Sequence, residues 1–193
     1  MGIKNKISRY IERNTIKNLN KEITNYVKGR NVLDNGCNKG SFIYEKHKDK
    51  EIYATDINDS KEIVIKRGAK EFKKADSERI PYKKETFDCV VFAGVIQYIK
   101  DYDKALEEIK RVLKKDGRLI ITTVNKGSIF RKIGLINPNP KKEAGEYQIL
   151  NINELAKILK NRGFKIERFV GVDFTKWIPG KLRSNTVFIC KKP

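Results

Sequence analysis

Two glycines and two carboxylates early in the chain have the types and spacing of a ligand-binding turn. The short apolar run 32–33 ends in Asp34, and Gly36 and Gly40 follow it in a G-x-x-x-G spacing. Gly36 would allow a tight backbone turn, and Gly40 would allow a ligand or a helix to approach closely. A second apolar run ends at Asp56, 22 positions after Asp34. An acid at about that separation bonds the ribose hydroxyls in nucleotide-binding folds.

The glycine spacing argues against a pyrophosphate ligand. It matches neither G-x-G-x-x-G nor G-x-x-x-x-G-K-[ST], the patterns that hold phosphates at the start of a helix. Asp34 stands beside the glycines, where it would repel a pyrophosphate and attract an ammonium group, directly or through water. We therefore expect a nucleoside ligand that carries positive charge and no phosphate.

Each acid also has an ordinary structural interpretation. Asp34 could cap the helix that starts near Asn38. Asp56 could be a turn residue, and Asp76 could be a surface acid in a loop. The sequence alone leaves these alternatives open.

The elements that must position these residues alternate along the chain. Apolar runs bounded by turn residues predict strands at 31–34, 51–56, 71–75, 87–93, 118–124, 164–172 and 186–191. Helical periodicity predicts helices at 41–48, 60–67, 102–114, 129–133 and 153–161, with a turn at Asp116-Gly117. Strands that alternate with helices over short connections form a parallel, doubly wound α/β sheet.

The N-terminal segment, residues 3 to about 27, predicts an amphipathic helix, because apolar residues recur at three- and four-residue steps. Asn14-Thr15 is a candidate break within it. We favour a helix docked on its own domain over a membrane anchor.

The net charge is +19 and is unevenly distributed. Residues 1–30 hold 8 basic and 2 acidic residues, residues 31–124 hold 20 and 17, and residues 125–193 hold 15 and 5. Basic flanks of this kind attract an anionic partner, either RNA or an anionic membrane surface. A lysine-rich composition that serves only solubility would give the same count.

Cysteine and histidine usage excludes several kinds of site. The three cysteines are far apart and form no C-x-x-C pair, so we expect reduced, mostly buried thiols in a cytoplasmic protein. His47 is the only histidine and lies in the helix predicted at 41–48, so we expect it to be structural. A single histidine excludes metal sites that need two, and we expect no metal. No apolar run is long enough for a transmembrane segment, and we expect no secretory signal.

Three strand-end segments resemble the motifs of one known family. Asp34-x-Gly36-x-x-x-Gly40, Asp56 and Ala75-Asp76, each at the end of a predicted strand, resemble the cofactor-binding motifs of class I S-adenosylmethionine-dependent methyltransferases. The similarity is closest to the type 11 group, which includes many small-molecule enzymes. Further segments resemble that group at 80–90, 113–119 and 154–164. The resemblance covers residues 30–125 well and the remainder only as a topology.

The resemblance implies a Rossmann-like seven-stranded sheet, mostly parallel with an antiparallel last strand, with helices on both faces. It also implies S-adenosylmethionine as cofactor, held by residues in the turns that follow the strands. These residues would be Asp34, Gly36, Cys37 and Gly40 for the methionine part, Asp56, Ile57, Asp76 and Ser77 for the ribose and adenine, and Ala93 and Gly94 for the sulfonium side.

The sequence departs from the family after the fourth strand. Many small-molecule members have a His-His or Glu-His pair there, whereas this chain has Val95-Ile96-Gln97-Tyr98, so the catalytic residues are not identified. Gln97, Tyr98 and Tyr147 are candidates for orienting the acceptor. Neither an N-P-P-[YF] motif nor a Pro-Cys pair is present, which argues against the base-methylating mechanisms that use them.

We expect one methyltransferase domain over residues 1–193. It would comprise an N-terminal helix at 1–28, a cofactor-binding core at 30–124, a substrate-side loop at 125–150, and a C-terminal helix with strands at 151–193. The preferred acceptor is a small or lipid-like molecule, and the alternative is RNA or a ribonucleoprotein. A non-catalytic binding protein on the same scaffold is a third possibility, since a fold does not fix a function.

Overall fold

A computed structural model describes residues 3–40, 43–134, 150–173 and 179–193. The helices are α1 (Ile3–Tyr26), α2 (Ile43–Lys46), α3 (Lys61–Lys66), α4 (Tyr102–Val112), α5 (Ile129–Lys132) and α6 (Ile152–Asn161). The strands are β1 (Asn31–Asn35), β2 (Glu51–Asp56), β3 (Glu71–Lys74), β4 (Phe87–Ala93), β5 (Leu113–Val124), β6 (Lys165–Val172) and β7 (Asn185–Lys191). Short 3₁₀ turns at Ile96–Tyr98 and Gly180–Leu182, which the sequence did not predict, complete the described elements.

The seven strands form one sheet in the order β3-β2-β1-β4-β5-β7-β6. The pairs among β1 to β5 are parallel, and β7 runs antiparallel to both of its neighbours. The predicted doubly wound sheet with an antiparallel last strand is therefore confirmed. The carboxyl ends of β1, β2 and β4 meet at one edge of the sheet, where the predicted site residues lie.

Alternate residues of the central strands bury apolar side chains on opposite faces. On β4, Val90 and Phe92 pack in one cluster with Leu106 and Ile109 of α4 and with Leu155 of α6. The residues that alternate with them, Cys89 and Val91, pack in a second cluster with side chains of α1, α2 and α3, including Ile23, Ile43 and Val64. Burial on both faces explains why β4 is apolar almost throughout.

Helix α1 is continuous, so the break predicted at Asn14-Thr15 is wrong. The Asn14 amide donates to the Tyr10 carbonyl one turn earlier, at 2.9 Å, and so stays within the helix. The Thr15 hydroxyl donates to the buried Asp173 carboxylate at 3.0 Å, which fixes this turn against the end of β6. Asn14 therefore bonds within α1, and Thr15 attaches α1 to the sheet, instead of the two residues starting a new helix.

The predicted turn at Asp116-Gly117 lies within β5 rather than before it, and Asp116 keeps the left-handed backbone of a turn, with φ +61°. Leu113 pairs with Phe87 and Arg118 with Cys89, so β5 bulges between the two pairs. The Asp116 N–H donates to the carbonyl of Lys192, and Gly117 accepts from the Lys192 N–H. Pairing with a segment distant in sequence converts a turn-like sequence into strand.

Among the described residues, none of the helices combines the length and apolar character that crossing a bilayer requires.

Candidate functional site

The turn between β1 and α2 is held by its own backbone amides. Gly36 and Cys37 both donate their N–H to the Thr55 carbonyl, at 2.8 and 3.0 Å, and Gly40 donates to Cys37 at 2.9 Å. Gly36 has φ +80°, which glycine tolerates best. A Cβ at this position would lie 2.3 Å from a methyl group of Val95, which follows β4. The turn therefore packs directly against the segment after β4.

Asp34 lies at the end of β1 with only 2% of its surface exposed. The Tyr44 hydroxyl of α2 donates to its Oδ2 at 2.9 Å. Burial and then the Asp34 charge raise the pKa of Tyr44, so its hydroxyl stays a neutral donor. Tyr44 was not singled out from the sequence, because no local pattern links it to Asp34.

Asp56 connects the turns that follow β1 and β2. One carboxylate oxygen accepts from the Asn38 N–H at 2.8 Å and the other from the Asn58 N–H at 2.9 Å. The side chain is 8% exposed, while the neighbouring Ile57 is 63% exposed. A single carboxylate thus fixes the positions of both turns, and Ile57 projects beside it.

Asp76 and Ser77, predicted to act together, have different surroundings. Asp76 is exposed and accepts from the Glu78 N–H at 2.9 Å. Ser77 is buried and donates to Oδ1 of Asn35 at 3.1 Å, where the Thr55 hydroxyl also donates at 2.9 Å. The amide nitrogen of Asn35 is buried and has no partner within the described parts of the chain. Asn35 was missed in the sequence because it occupies the variable position of the D-x-G motif.

The end of β4 contributes the predicted sulfonium-side residues Ala93 and Gly94. Gly94 has φ +71° and donates its N–H to the Thr122 hydroxyl at 2.8 Å. The Gln97 amide donates to the Gly94 carbonyl at 2.8 Å, and its own oxygen is buried without a partner in the described chain. Gln97 therefore shapes this turn from within.

The other two acceptor candidates are Tyr98 and Tyr147. Tyr98 is 39% exposed and follows Gln97 in the same 3₁₀ turn. Tyr147 lies outside the described residues.

Arg67, at the end of α3, is a further side chain of this turn that the sequence did not suggest. It donates to the Gly40 carbonyl at 2.9 Å and pairs with Glu45 at 3.0 Å. His47, expected to be structural, lies away from these turns, with its ring nitrogen 3.1 Å from the Thr24 carbonyl of α1.

All three cysteines are free and buried, as expected for structural thiols. Burial raises the pKa of Cys89 to about 11 and that of Cys190 to about 12. Burial, followed by the charges of Asp34 and Asp56, also raises the pKa of Cys37. Near neutral pH the reactive thiolate form is therefore scarce at each cysteine.

We predict that iodoacetamide alkylates the folded protein at pH 7.5 at least about 100-fold more slowly than the denatured protein, because each unit of pKa removes tenfold of the thiolate. The rate should rise with pH, since each raised pKa must be approached before thiolate forms. Peptide mass spectrometry after timed labelling measures each cysteine separately. Rapid labelling of Cys37 at pH 7.5 would instead identify a reactive thiol in the turn.

Comparison with known proteins identifies a family that matches most of the chain. A family model described as a methyltransferase domain matches residues 5–168. The ubiquinone/menaquinone biosynthesis C-methyltransferase UbiE of Pasteurella multocida is 32% identical over 111 residues, which cover 51% of this chain and 41% of that protein. This chain spans about half the length of the curated relatives it matches.

Two crystal structures share the fold. A SAM dependent methyltransferase from Aquifex aeolicus superposes with a TM-score of 0.67 at 22% identity, covering 100% of both chains. The 1,6-didemethyltoxoflavin-N1-methyltransferase of Burkholderia thailandensis, with bound 1,6-didemethyltoxoflavin and S-adenosylhomocysteine, has a TM-score of 0.68 at 17% identity, covering 92% of this chain and 78% of that chain. At these identities the similarity establishes the fold alone.

Proposed function

The chain belongs to the methyltransferase-domain family, and from that premise we propose that it transfers the methyl group of S-adenosylmethionine to a small or lipid-like acceptor. The observation that carries the proposal is the pair of buried carboxylates, Asp34 and Asp56, at the ends of neighbouring strands, with a glycine turn between them. Residues 30–124 would form the cofactor-binding part of a single domain.

The backbone of the turn supports a ligand without phosphates. The N–H groups of Gly36, Cys37 and Gly40 donate to carbonyls of the chain, and that of Asn38 donates to Asp56. Phosphate-binding turns instead direct such N–H groups at the ligand. The carboxylates of Asp34 and Asp56 favour a cationic ligand, so the residues present fit S-adenosylmethionine.

S-adenosylmethionine supplies a methyl group bonded to a positively charged sulfur, which is already an activated leaving group. The chain would contribute binding and orientation, which together can provide roughly 7–11 kcal/mol in ideal cases. Asp56 would accept from the ribose hydroxyls through its remaining lone pairs, with Ile57 against the adenine. Asp34 would hold the methionine ammonium, directly or through water. The buried Asn35 amide nitrogen, next to Asp34 in β1, is a donor with no partner in the described chain.

The remaining predicted residues would complete the donor and acceptor sides. Asp76 would accept from the adenine amino group through its second carboxylate oxygen, because only the first one accepts from Glu78 in the described chain. Ser77 would lie beside it. Ala93 and Gly94 would line the sulfonium side. Gln97 would orient the turn at the end of β4 through its hydrogen bond to the Gly94 carbonyl.

The proposed acceptor class rests on the relatives. UbiE is named for ubiquinone and menaquinone biosynthesis, and the Burkholderia thailandensis enzyme for 1,6-didemethyltoxoflavin. Both names point to small molecules, so we prefer such an acceptor to RNA or a ribonucleoprotein, for which only the basic charge argues.

Calorimetry with S-adenosylmethionine, S-adenosylhomocysteine and NADH tests the cofactor assignment. We expect both sulfur nucleosides to bind and the dinucleotide to show no heat. Transfer of labelled methyl from S-adenosylmethionine to a cell extract then tests the acceptor, with label expected in the organic-soluble fraction and unaffected by ribonuclease. Label lost after ribonuclease would establish the RNA alternative, and binding of NADH alone would overturn the methyltransferase assignment.

A further inference from the structure

The side chain of Asn35 joins the ends of three strands. Asn35 is the last residue of β1, and its Oδ1 accepts from the Thr55 hydroxyl of β2 at 2.9 Å. The same oxygen accepts from the Ser77 hydroxyl, just beyond the end of β3, at 3.1 Å. All three side chains are buried. An amide oxygen has two lone pairs, so these two bonds use its full acceptor capacity.

The amide nitrogen of Asn35 shows that this position is kept for its oxygen. The nitrogen is buried without a partner in the described chain, which costs free energy. An aspartate would supply the same acceptor, but it would place a second buried carboxylate directly after Asp34. An apolar residue would leave the buried Thr55 and Ser77 hydroxyls without this acceptor. The two hydroxyl bonds are therefore what the amide contributes.

The bond to Ser77 fixes the turn that carries Asp76. Within this turn the Glu78 N–H donates to Oδ1 of Asp76 at 2.9 Å, and the Arg79 N–H donates to the Asp76 carbonyl at 3.0 Å. Ser77 is buried and Asp76, its neighbour, is exposed. By holding Ser77 in the interior, Asn35 keeps the adjacent carboxylate on the outside of the turn.

We propose that Asn35 is a positioning residue for base recognition: through Ser77 it holds the Asp76 carboxylate where it accepts from the adenine amino group. The inference rests on the proposed function, in which Asp76 binds that group. Asn35 itself does not touch the base. A nucleoside with an oxygen in place of the amino group offers Asp76 no donor at that position, so it gains nothing from the alignment. Loss of the anchor should therefore change the preference between the two bases.

Calorimetry with S-adenosylhomocysteine and S-inosylhomocysteine, in which an oxygen replaces the amino group, measures this preference. The parent protein should prefer the adenine nucleoside at least about tenfold, because the other lacks a hydrogen bond to a charged group. Asn35→Leu and Ser77→Ala should each reduce the preference to about threefold or less, mainly by weakening the adenine nucleoside. Ser77→Thr keeps the hydroxyl and should retain the preference.

Thr24→Ala is the matched control. It removes a buried hydroxyl of α1 that donates to two carbonyls of its own helix, and it should leave the preference within about twofold. Far-ultraviolet circular dichroism checks that every variant is folded.

Hydrogen exchange without any ligand tests the anchor separately. The Glu78 and Arg79 amides should exchange at least about tenfold faster in Asn35→Leu and Ser77→Ala than in the parent protein or in Thr24→Ala, because the released turn opens more often. Unchanged exchange in both variants would overturn the inference alone. So would binding of the adenine nucleoside with no preference in the parent, or with the same preference in both variants. A parent protein that bound neither nucleoside would overturn the proposed function, and the inference with it.

Discussion

Asp56→Ala should weaken the binding of S-adenosylhomocysteine about 100-fold while the protein remains folded. The substitution removes a carboxylate that would accept two ribose hydroxyls, and charge-assisted hydrogen bonds contribute about 1.5–3 kcal/mol each. It also removes the acceptor for the Asn38 and Asn58 N–H groups, which loosens both turns. Calorimetry measures the affinity, and thermal unfolding measures the stability of the same samples.

Asp59→Ala is the matched control for that prediction. Asp59 lies three residues further on, is exposed, and accepts from the nearby Lys61 N–H at 3.1 Å. Its substitution should leave the affinity within about twofold. If Asp56→Ala lowered the unfolding temperature but kept the affinity, Asp56 would be the turn residue of the simpler interpretation, and the cofactor assignment would lose its main support.

Gly36→Ala should lower the free energy of unfolding by about 3 kcal/mol or more, and Gly68→Ala by only about 1–2 kcal/mol. Both glycines have positive φ, +80° and +106°, so an alanine is strained at either position. The two differ in their surroundings, because a Cβ at Gly36 meets Val95 at 2.3 Å and a Cβ at Gly68 meets nothing within 4 Å. The difference between the two variants therefore measures the packing of the turn against the segment after β4.

A double-mutant cycle with Val95→Ala isolates the steric part of this effect. Urea unfolding of Gly36→Ala, Val95→Ala and the double variant should show that the double variant recovers part of the loss, because the shorter side chain makes room for the added methyl. Equal destabilisation by Gly36→Ala and Gly68→Ala would contradict the contact, and so would strict additivity in the cycle.

Local patterns in the sequence were sufficient for most of the fold. Strands β2 and β4 have the predicted bounds, because each is an apolar run closed by residues that leave the sheet. Strand β5 begins five residues earlier than predicted, at Leu113, because its first residues pair with β4 and with the segment after β7. Such pairing depends on residues far away in the chain, which periodicity cannot detect.

The candidate site likewise contains residues that local patterns predict and residues that only tertiary packing brings in. Asp34, Gly36 and Asp56 could be singled out because strand ends and glycine spacing are local features. Tyr44 and Arg67 could not, because their bonds to Asp34 and to the Gly40 carbonyl exist only once α2 and α3 pack beside the turn. The sequence predicted which groups carry charge, and tertiary packing determines which groups orient them.

The contact between Gly36 and Val95 has a consequence for redesign of this protein. Under the proposed assignment, position 36 lies beside the methyl donor, and Val95 directly follows Ala93 and Gly94 on the sulfonium side. The Val95 side chain fills the space that any side chain at position 36 would need. Enlarging or shrinking residue 95 to change selectivity would shift the donor as well, so engineers should vary positions 36 and 95 as a pair.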